Sequence, residues 1–231
     1  MRKIQIFLWA SGSAEDFFDR VLADVPPALL ALEGLCRLQL NLADGDVAAA
    51  AEKRIASDGV ALFDAMCSFY CEADETLDQA IAVLANVAAK VAVYQVEAEE
   101  PLRNTRYPVA AGQRTPGFSQ VALLRCPEFL TYEQWLGYWK NTHTQIAIDT
   151  QSTFRYVQNR VVSGLNEDGG AYQAIVEECF PAEAMTSAEA FYNADGQPEL
   201  CQQRMQAMLE SCAKFIDFNE IDVQPTSEYC F

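Results

Sequence analysis

The chain has 231 residues, and its 33 acidic against 16 basic residues give a net charge of −17. A surface this acidic repels phosphate backbones and anionic lipids, so neither nucleic acid nor a membrane surface is expected as a partner. The hydrophobic fraction of 51% is sufficient for a packed core, and the single histidine, His143, excludes a metal site built on two or more histidines.

The first hundred residues alternate between strand-like and helix-like patterns. A helix is expected to begin at Ser13, which has an acidic residue three positions later, and to be interrupted or kinked at Pro26 and Pro27. A second helix is expected over 75–87, and a short one within 46–59. Period-two and apolar runs predict strands over 3–9, 35–43, 62–73 and 90–100. The resulting order, β-α-β-β-α-β, is that of a ferredoxin-like unit.

The compartment is inferred from the N-terminus and the cysteines. The apolar run 4–10 is short for a secretion signal and is interpreted as a strand, and no window is long enough for a transmembrane helix. The eight cysteines contain no CxxC pair and are interpreted as buried thiols. We therefore expect a cytoplasmic protein.

Residues 101–117 differ in composition from the rest of the chain, with three prolines, three arginines and no acidic residue. They are predicted to link an N-terminal half, 1–100, to a C-terminal half, 118–231. The second half repeats the order of elements. Its predicted strands are 118–125, 153–162, 172–180 and 218–223, and its predicted helices are 131–150, a short one near 186–193, and one from Pro198 to near Ile216. The predicted fold class is α+β, with two tandem ferredoxin-like units whose sheets cover each other and enclose a cavity.

The helix predicted over 131–150 places the only histidine on an aromatic face. At about 100° per residue, Trp135, Trp139 and His143 lie on the same side of this helix. Three interpretations of His143 stay open: a buried structural histidine, a general base or acid whose pKa is shifted by burial and a partner, and an axial ligand to a metal or haem.

The strand predicted over 153–162 carries polar candidates. Alternation places Tyr156, Gln158 and Arg160 on one face and Asn159 on the other. A hydroxyl, an amide and a guanidinium on one face could bind a carbonyl or a developing enolate, and a purely structural network explains them as well.

Two adjacent glutamates, Glu177 and Glu178, lie in the strand predicted over 172–180. Neighbours on a strand point to opposite faces, so these two cannot form a paired-carboxylate site. A buried glutamate beside the single histidine would be an orienting partner for it. The chain contains no GxGxxG, Walker A or GxSxG motif, so dinucleotide, P-loop and serine-hydrolase functions have no support.

The second half resembles the EthD domain family over about residues 118–224. The resemblance rests on a Trp-rich helix ending in histidine, a strand carrying YVQN and a later strand with glutamate before an aromatic residue; in this chain these are LLRCPEFLTYEQWLGYWKNTH, FRYVQNRVV and AIVEECF. EthD domains belong to the dimeric α+β barrel superfamily, whose ferredoxin-like units pair around a cavity. The resemblance therefore implies a tandem, self-paired version. Arg160 stands where many members have a second histidine, which weakens a two-histidine mechanism.

The family positions that match are His143, Tyr156, Gln158, Asn159 and Glu177. The first hypothesis is an enzyme without a cofactor or metal that acts by proton transfer on a small, mostly apolar carbonyl or phenolic compound, in an oxidoreductase- or cyclase-type step. In this hypothesis His143 moves the proton and is oriented by Glu177, while Tyr156 and Asn159 or Arg160 stabilise the oxyanion. The expected substrate contacts are Asn159, Gln158, Arg160, Trp139 and Trp135.

Two other functions stay open. One is a non-enzymatic small-ligand binding or accessory protein, in which His143 is structural. The other is a haem protein with His143 as axial ligand, because some tandem barrels of the superfamily hold haem in their C-terminal half. The expected partner is a small apolar molecule, and a homodimer is left open.

Overall fold

A computed structural model describes residues 1–169 and 172–231. The strands are β1 (Arg2–Ala10), β2 (Cys36–Leu42), β3 (Ala65–Cys71), β4 (Ala88–Leu102), β5 (Phe118–Leu124), β6 (Arg155–Gly164), β7 (Ala174–Phe180) and β8 (Asp222–Cys230). The helices are α1 (Ala14–Leu30), α2 (Asp74–Ala85), α3 (Tyr132–Tyr138), α4 (Thr144–Thr150), α5 (Ala188–Phe191) and α6 (Pro198–Cys212). A π-helical turn, Trp139–His143, joins α3 to α4, and 3₁₀ helices cover Gly45–Lys53 and Ala182–Met185.

The strands form one closed antiparallel barrel in the order β1-β3-β2-β8-β5-β7-β6-β4. Within each half the spatial order is fourth, first, third, second strand, which is the ferredoxin-like arrangement. The halves join through β2 with β8 and through β4 with β6. The predicted fold class is confirmed. The division into 1–100, 101–117 and 118–231 stays a prediction; β4 ends at Leu102 and β5 begins at Phe118.

Helices cover the outer face of each sheet. In the N-terminal half, Phe17 and Val21 of α1 and Leu77 of α2 pack with Ile4 and Leu40 from the outward face of the strands. In the C-terminal half, α3, α4 and α6 cover the outward face of β5, β6 and β7. The barrel interior is filled by the alternate side chains of the same strands, so both faces of each sheet are buried.

The first helix passes through both prolines without interruption. Helix α1 contains Pro26 and Pro27 and continues to Leu30, so the predicted interruption is wrong, and a kink stays a prediction. Two backbone hydrogen bonds are lost at the prolines. We attribute the continuity to packing, because Val25, Pro26 and Leu29 are buried against the core.

The last strand lies later in the chain than predicted. The sequence predicts it over 218–223, whereas β8 covers Asp222–Cys230. Its polar residues Gln224, Thr226 and Glu228 give the sequence no apolar strand pattern, although all three side chains are buried in the barrel. In the described part of the chain, no helix has the length and hydropathy needed to cross a bilayer.

Candidate functional site

The histidine lies in a cavity of about 220 Å³ in the C-terminal half. The cavity lies between the outward face of the C-terminal strands and the covering helices, since its walls include Ala122 of β5, Tyr156 of β6 and Met208 of α6. The sequence predicts a cavity between the two sheets. Two pockets, of about 460 Å³ and about 450 Å³, are lined by barrel residues of both halves, but the histidine lines neither of them. The cavity of the histidine is outside the barrel, and a functional cavity between the sheets stays a prediction.

A change in helical geometry brings the aromatic face to this cavity. Helix α3 begins with a capping box, in which Thr131 accepts from the Gln134 backbone and the Gln134 side chain accepts from the Thr131 backbone. The backbone then widens to the π-helical turn, whose ends are Trp139 and His143. Such turns are frequent at functional sites because they re-aim side chains. Both Trp139 and His143 line the cavity.

The predicted contact Trp135 lies behind the cavity wall. Its ring centroid is 5.7 Å from that of Trp139, and Trp135 is completely buried. It does not contribute to the described cavity lining. Both tryptophans are fully buried, and of the two only Trp139 belongs to the described cavity wall, with Trp135 packed behind it.

His143 is buried and neutral. Its Nδ1 lies 2.9 Å from Ser211 Oγ, and its ring packs 4.4 Å from that of Phe215, centroid to centroid. Burial lowers the pKa of His143 to about 4, because the apolar surroundings disfavour the imidazolium. At neutral pH the group is an uncharged imidazole and a weak base.

A carboxyl group that the sequence hypothesis left aside also lines the cavity. Glu178 of β7 lies directly opposite Tyr156 of β6 in the strand register, and both side chains line the cavity. Burial raises the pKa of Glu178 to about 8. Its Oε1 atom is buried without a hydrogen-bond partner among the residues that the structure describes. Glu178 is thus a mainly protonated acid that faces an apolar cavity.

The side chain of Tyr156 lines the same cavity. Trp139 Nε1 donates to Tyr156 Oη over 3.3 Å, and the hydroxyl also interacts with Thr144. Burial raises the pKa of Tyr156 further above its usual value, so the group stays protonated. Tyr156 lines the cavity, and its role in a site stays a prediction.

Glu177 points into the barrel, away from the histidine. Its carboxylate accepts hydrogen bonds from Lys3 Nζ at 3.3 Å, Gln5 Nε2 at 2.9 Å and Asn159 Nδ2 at 2.9 Å. Complete burial would raise its pKa, but the charges of Lys3 and Arg155, with these hydrogen bonds, lower it to about 2. The predicted orienting pair of Glu177 with the histidine is wrong, and Asn159 is a barrel residue instead of a substrate contact.

The two other polar candidates of β6 do not line the described cavity. Gln158 Nε2 donates to Thr144 Oγ1 over 2.6 Å and so ties the strand to α4. Arg160 forms an ion pair with Glu97 at 2.5 Å, partly exposed on the surface. The predicted substrate contacts at Gln158 and Arg160 are therefore replaced by structural interactions.

Sequence alternation separates Glu177 from Glu178 but cannot identify which of them shares a cavity with the histidine. That assignment needs the register between β6 and β7, which pairs Glu178 with Tyr156. The sequence contains a relevant signal, because residues paired across adjacent strands lie on the same face of the sheet. That signal can be used only when the partner of Tyr156 is known.

No family model matches the chain, and no curated protein matches it. A solved structure described as an anthrone oxidase-like protein is similar, with a TM-score of 0.60 and 10% identity over 99% of this chain and 93% of that one. A protein of Fusobacterium nucleatum subsp. nucleatum, provisionally described as a monooxygenase, has a TM-score of 0.52 and 8% identity over 99% and 91%. Chlorite dismutase from Candidatus Nitrospira defluvii has a TM-score of 0.47 and 11% identity over 98% and 90%. The first two similarities show the fold, and the EthD assignment itself is not confirmed.

The expectation of a protein without a cofactor is corrected by these comparisons, because chlorite dismutase belongs to a haem-binding class. The haem hypothesis takes His143 as the axial ligand and this cavity as the pocket. The cavity, about 220 Å³, is smaller than the 300–1,000 Å³ typical of pockets for drug-sized ligands. Ser211 and Phe215 also hold the imidazole in place. A haem does not fit the cavity in this conformation.

The described residues form no metal centre. Within residues 1–169 and 172–231, no group of three or more His, Cys, Asp or Glu side chains could hold a metal ion. All eight cysteines are free thiols, and four of them are buried: Cys67, Cys71, Cys179 and Cys201.

Proposed function

We propose that this protein is an enzyme that removes a proton from a small, mostly apolar carbonyl or phenolic compound in the C-terminal cavity, the proton-transfer step with which an oxidoreductase-type reaction of such a compound begins. Glu178 is the group that takes and returns the proton. The observation that carries the proposal concerns Glu178, a residue of the cavity wall. Its Oε1 atom is buried and has no hydrogen-bond partner in the described chain.

The pKa of Glu178 suits this role. With a pKa of about 8, about one carboxyl in ten is ionised at pH 7, and the ionised form is a stronger base than an ordinary carboxylate. The substrate C–H or O–H bond would break, its proton would go to Glu178, and the electron pair would stay on the substrate as an enolate or phenolate. His143, with a pKa of about 4, is a weaker base, and we assign it a positioning role.

Tyr156 is assigned to the oxygen of the substrate. Trp139 donates to the Tyr156 oxygen, so the Tyr156 proton is not used in that hydrogen bond. A preorganised donor of this kind stabilises the negative charge that develops on a carbonyl oxygen. Glu178 and Tyr156 lie opposite each other on adjacent strands, so one small molecule can meet both groups. The fold likeness to proteins described as an anthrone oxidase-like protein and a monooxygenase supports an oxidoreductase-type role.

A second function is a non-enzymatic binding protein for the same kind of molecule. The observation that favours it is the fixed histidine, which Ser211 and Phe215 hold in an apolar wall. Both functions predict ligand binding, and only the enzyme predicts proton exchange.

The proposal is tested by deuterium exchange, which needs no oxidant. The protein is incubated in D₂O with 2-tetralone, a small bicyclic aromatic ketone, and loss of the α-proton signals is followed by NMR. We expect exchange above the buffer rate in the wild type and a loss of about 100-fold in Glu178→Gln, the low end of what a general base contributes.

The matched control is Glu183→Gln, which changes an exposed glutamate outside the cavity. It should exchange like the wild type. Binding of 2-tetralone without catalysed exchange would favour the binding function. Equal exchange in the wild type and in Glu178→Gln would contradict the role of Glu178.

A further inference from the structure

A lysine of the N-terminal half, Lys53, lines the C-terminal cavity. Lys53 ends the 3₁₀ helix Gly45–Lys53, and two residues later Ile55 forms an antiparallel bridge with Val223 of β8. This bridge fixes the N-terminal segment against the C-terminal sheet. Lys53 and Ile55 consequently line the same cavity as Glu178.

The ammonium group of Lys53 has an aromatic neighbour, and the one carboxylate that attracts it electrostatically is that of the adjacent Glu52. Its Nζ lies 4.1 Å from the ring centroid of Phe191, a distance typical of a cation–π contact. In residues 1–169 and 172–231 no carboxylate forms an ion pair with it. Its pKa is lowered by burial, which removes water that would otherwise solvate the charge. Several basic side chains of the described chain form no ion pair, and Lys53 is the lysine among them that lines this cavity.

The rest of the cavity supplies no compensating negative charge near neutral pH. His143 is neutral there, and Glu178 is mainly protonated. The remaining walls are largely apolar, and large apolar side chains are also exposed at the edge: Ile55 at 43%, Leu209 at 50% and Phe218 at 51%. The cavity thus combines an apolar body with one cation at its rim.

We infer that the ligand of this cavity is an apolar compound with one anionic oxygen group, a carboxylate or an ionised phenol, and that Lys53 binds this group at the rim. The inference rests on the proposed function for the orientation of the ligand, whose reacting part would point towards Glu178. It also assigns the N-terminal half a direct part in the site, as the source of the specificity-determining residue.

The test compares anionic and neutral ligands of similar shape. Binding of 2-naphthoate, of ionised 4-nitro-1-naphthol and of neutral 2-naphthamide is measured by calorimetry on the full chain. We expect the wild type to bind at least one anion more tightly than the amide. Lys53→Gln should lower the affinity for that anion about tenfold and leave the affinity for the amide unchanged. Lys53→Arg should retain the preference for the anion. The anion that loses affinity identifies the carboxylate or the phenolate.

The matched control is Lys90→Gln. Lys90 also lies over an aromatic ring, 4.7 Å from the centroid of Trp9, but it is outside this cavity. The Lys90→Gln substitution removes the same overall charge as Lys53→Gln and should leave the affinities for all three ligands unchanged. If Lys90→Gln weakens the anions as much as Lys53→Gln does, the effect is one of net charge and the inference is wrong.

The inference is also wrong if the amide binds as well as both anions, or if Lys53→Gln weakens all ligands equally. The infrared carboxyl band of Glu178 separates this failure from failure of the proposed function. If the amide shifts that band and 2-tetralone exchange persists, only the role of Lys53 fails. If the anion preference holds but no exchange occurs, the ligand class stands and the enzymatic function fails.

Discussion

Replacement of Glu178 by glutamine should stabilise the protein in a strongly pH-dependent way. Burial raises the pKa of this carboxyl from 4.5 to about 8. A raised pKa means that the folded state holds its proton more tightly than the unfolded state does. The wild type therefore loses stability as the pH rises from 4.5 to 8, because unfolding then releases a proton. Glutamine is uncharged at every pH and escapes this loss.

The magnitude follows from the two pKa values. Each tenfold change in a proton equilibrium corresponds to about 1.4 kcal/mol. Movement of the pKa from 4.5 to about 8 thus costs the wild type about 5 kcal/mol above pH 8 and about 3 kcal/mol at pH 7. Below pH 4.5 the carboxyl is protonated in both states, and the variant and the wild type should be nearly equal.

The assay is urea unfolding followed by tryptophan fluorescence at pH 4, pH 7 and pH 8.5. The free-energy difference between Glu178→Gln and the wild type should grow across this series, while Glu183→Gln, at an exposed glutamate, should show no such trend. Other titrating groups are common to both proteins and cancel in the comparison. A difference that stays constant from pH 4 to pH 8.5 would refute the buried, protonated state of Glu178.

Two further predictions concern Glu177 and Tyr156. Glu177→Gln leaves Lys3 and Arg155 without their shared carboxylate and should cost about 3–5 kcal/mol in urea unfolding at pH 7. Because the pKa of Glu177 is lowered from 4.5 to about 2, this loss should shrink as the pH falls from 4.5 towards 2; a loss unchanged in acid would contradict the ion-pair network. Tyr156→Phe should slow 2-tetralone exchange about 100-fold through loss of its oxyanion donor, with the stability trend of Glu178 retained. Unchanged exchange would remove Tyr156 from the mechanism.

The sequence by itself determined the order of elements and the surroundings of His143. Ser13, Thr131 and Pro198 mark the first turns of α1, α3 and α6, because side-chain caps and a proline at the start of a helix act locally. The 3.6-residue period likewise placed the histidine on the face with Trp139. These signals depend on neighbours in the chain, so sequence is sufficient to detect them.

Only the tertiary structure decided which face of each strand surrounds the site. In an open sheet with one wet face, polarity separates inside from outside. In this barrel both faces are buried: the inner face by a hydrogen-bonded network around Glu177, and the outer face by helices over Glu178. Two adjacent glutamates therefore have the same polarity in the sequence and opposite environments in the fold. The same closure brings Lys53 from the other half of the chain to the cavity, a long-range contact that no local pattern encodes.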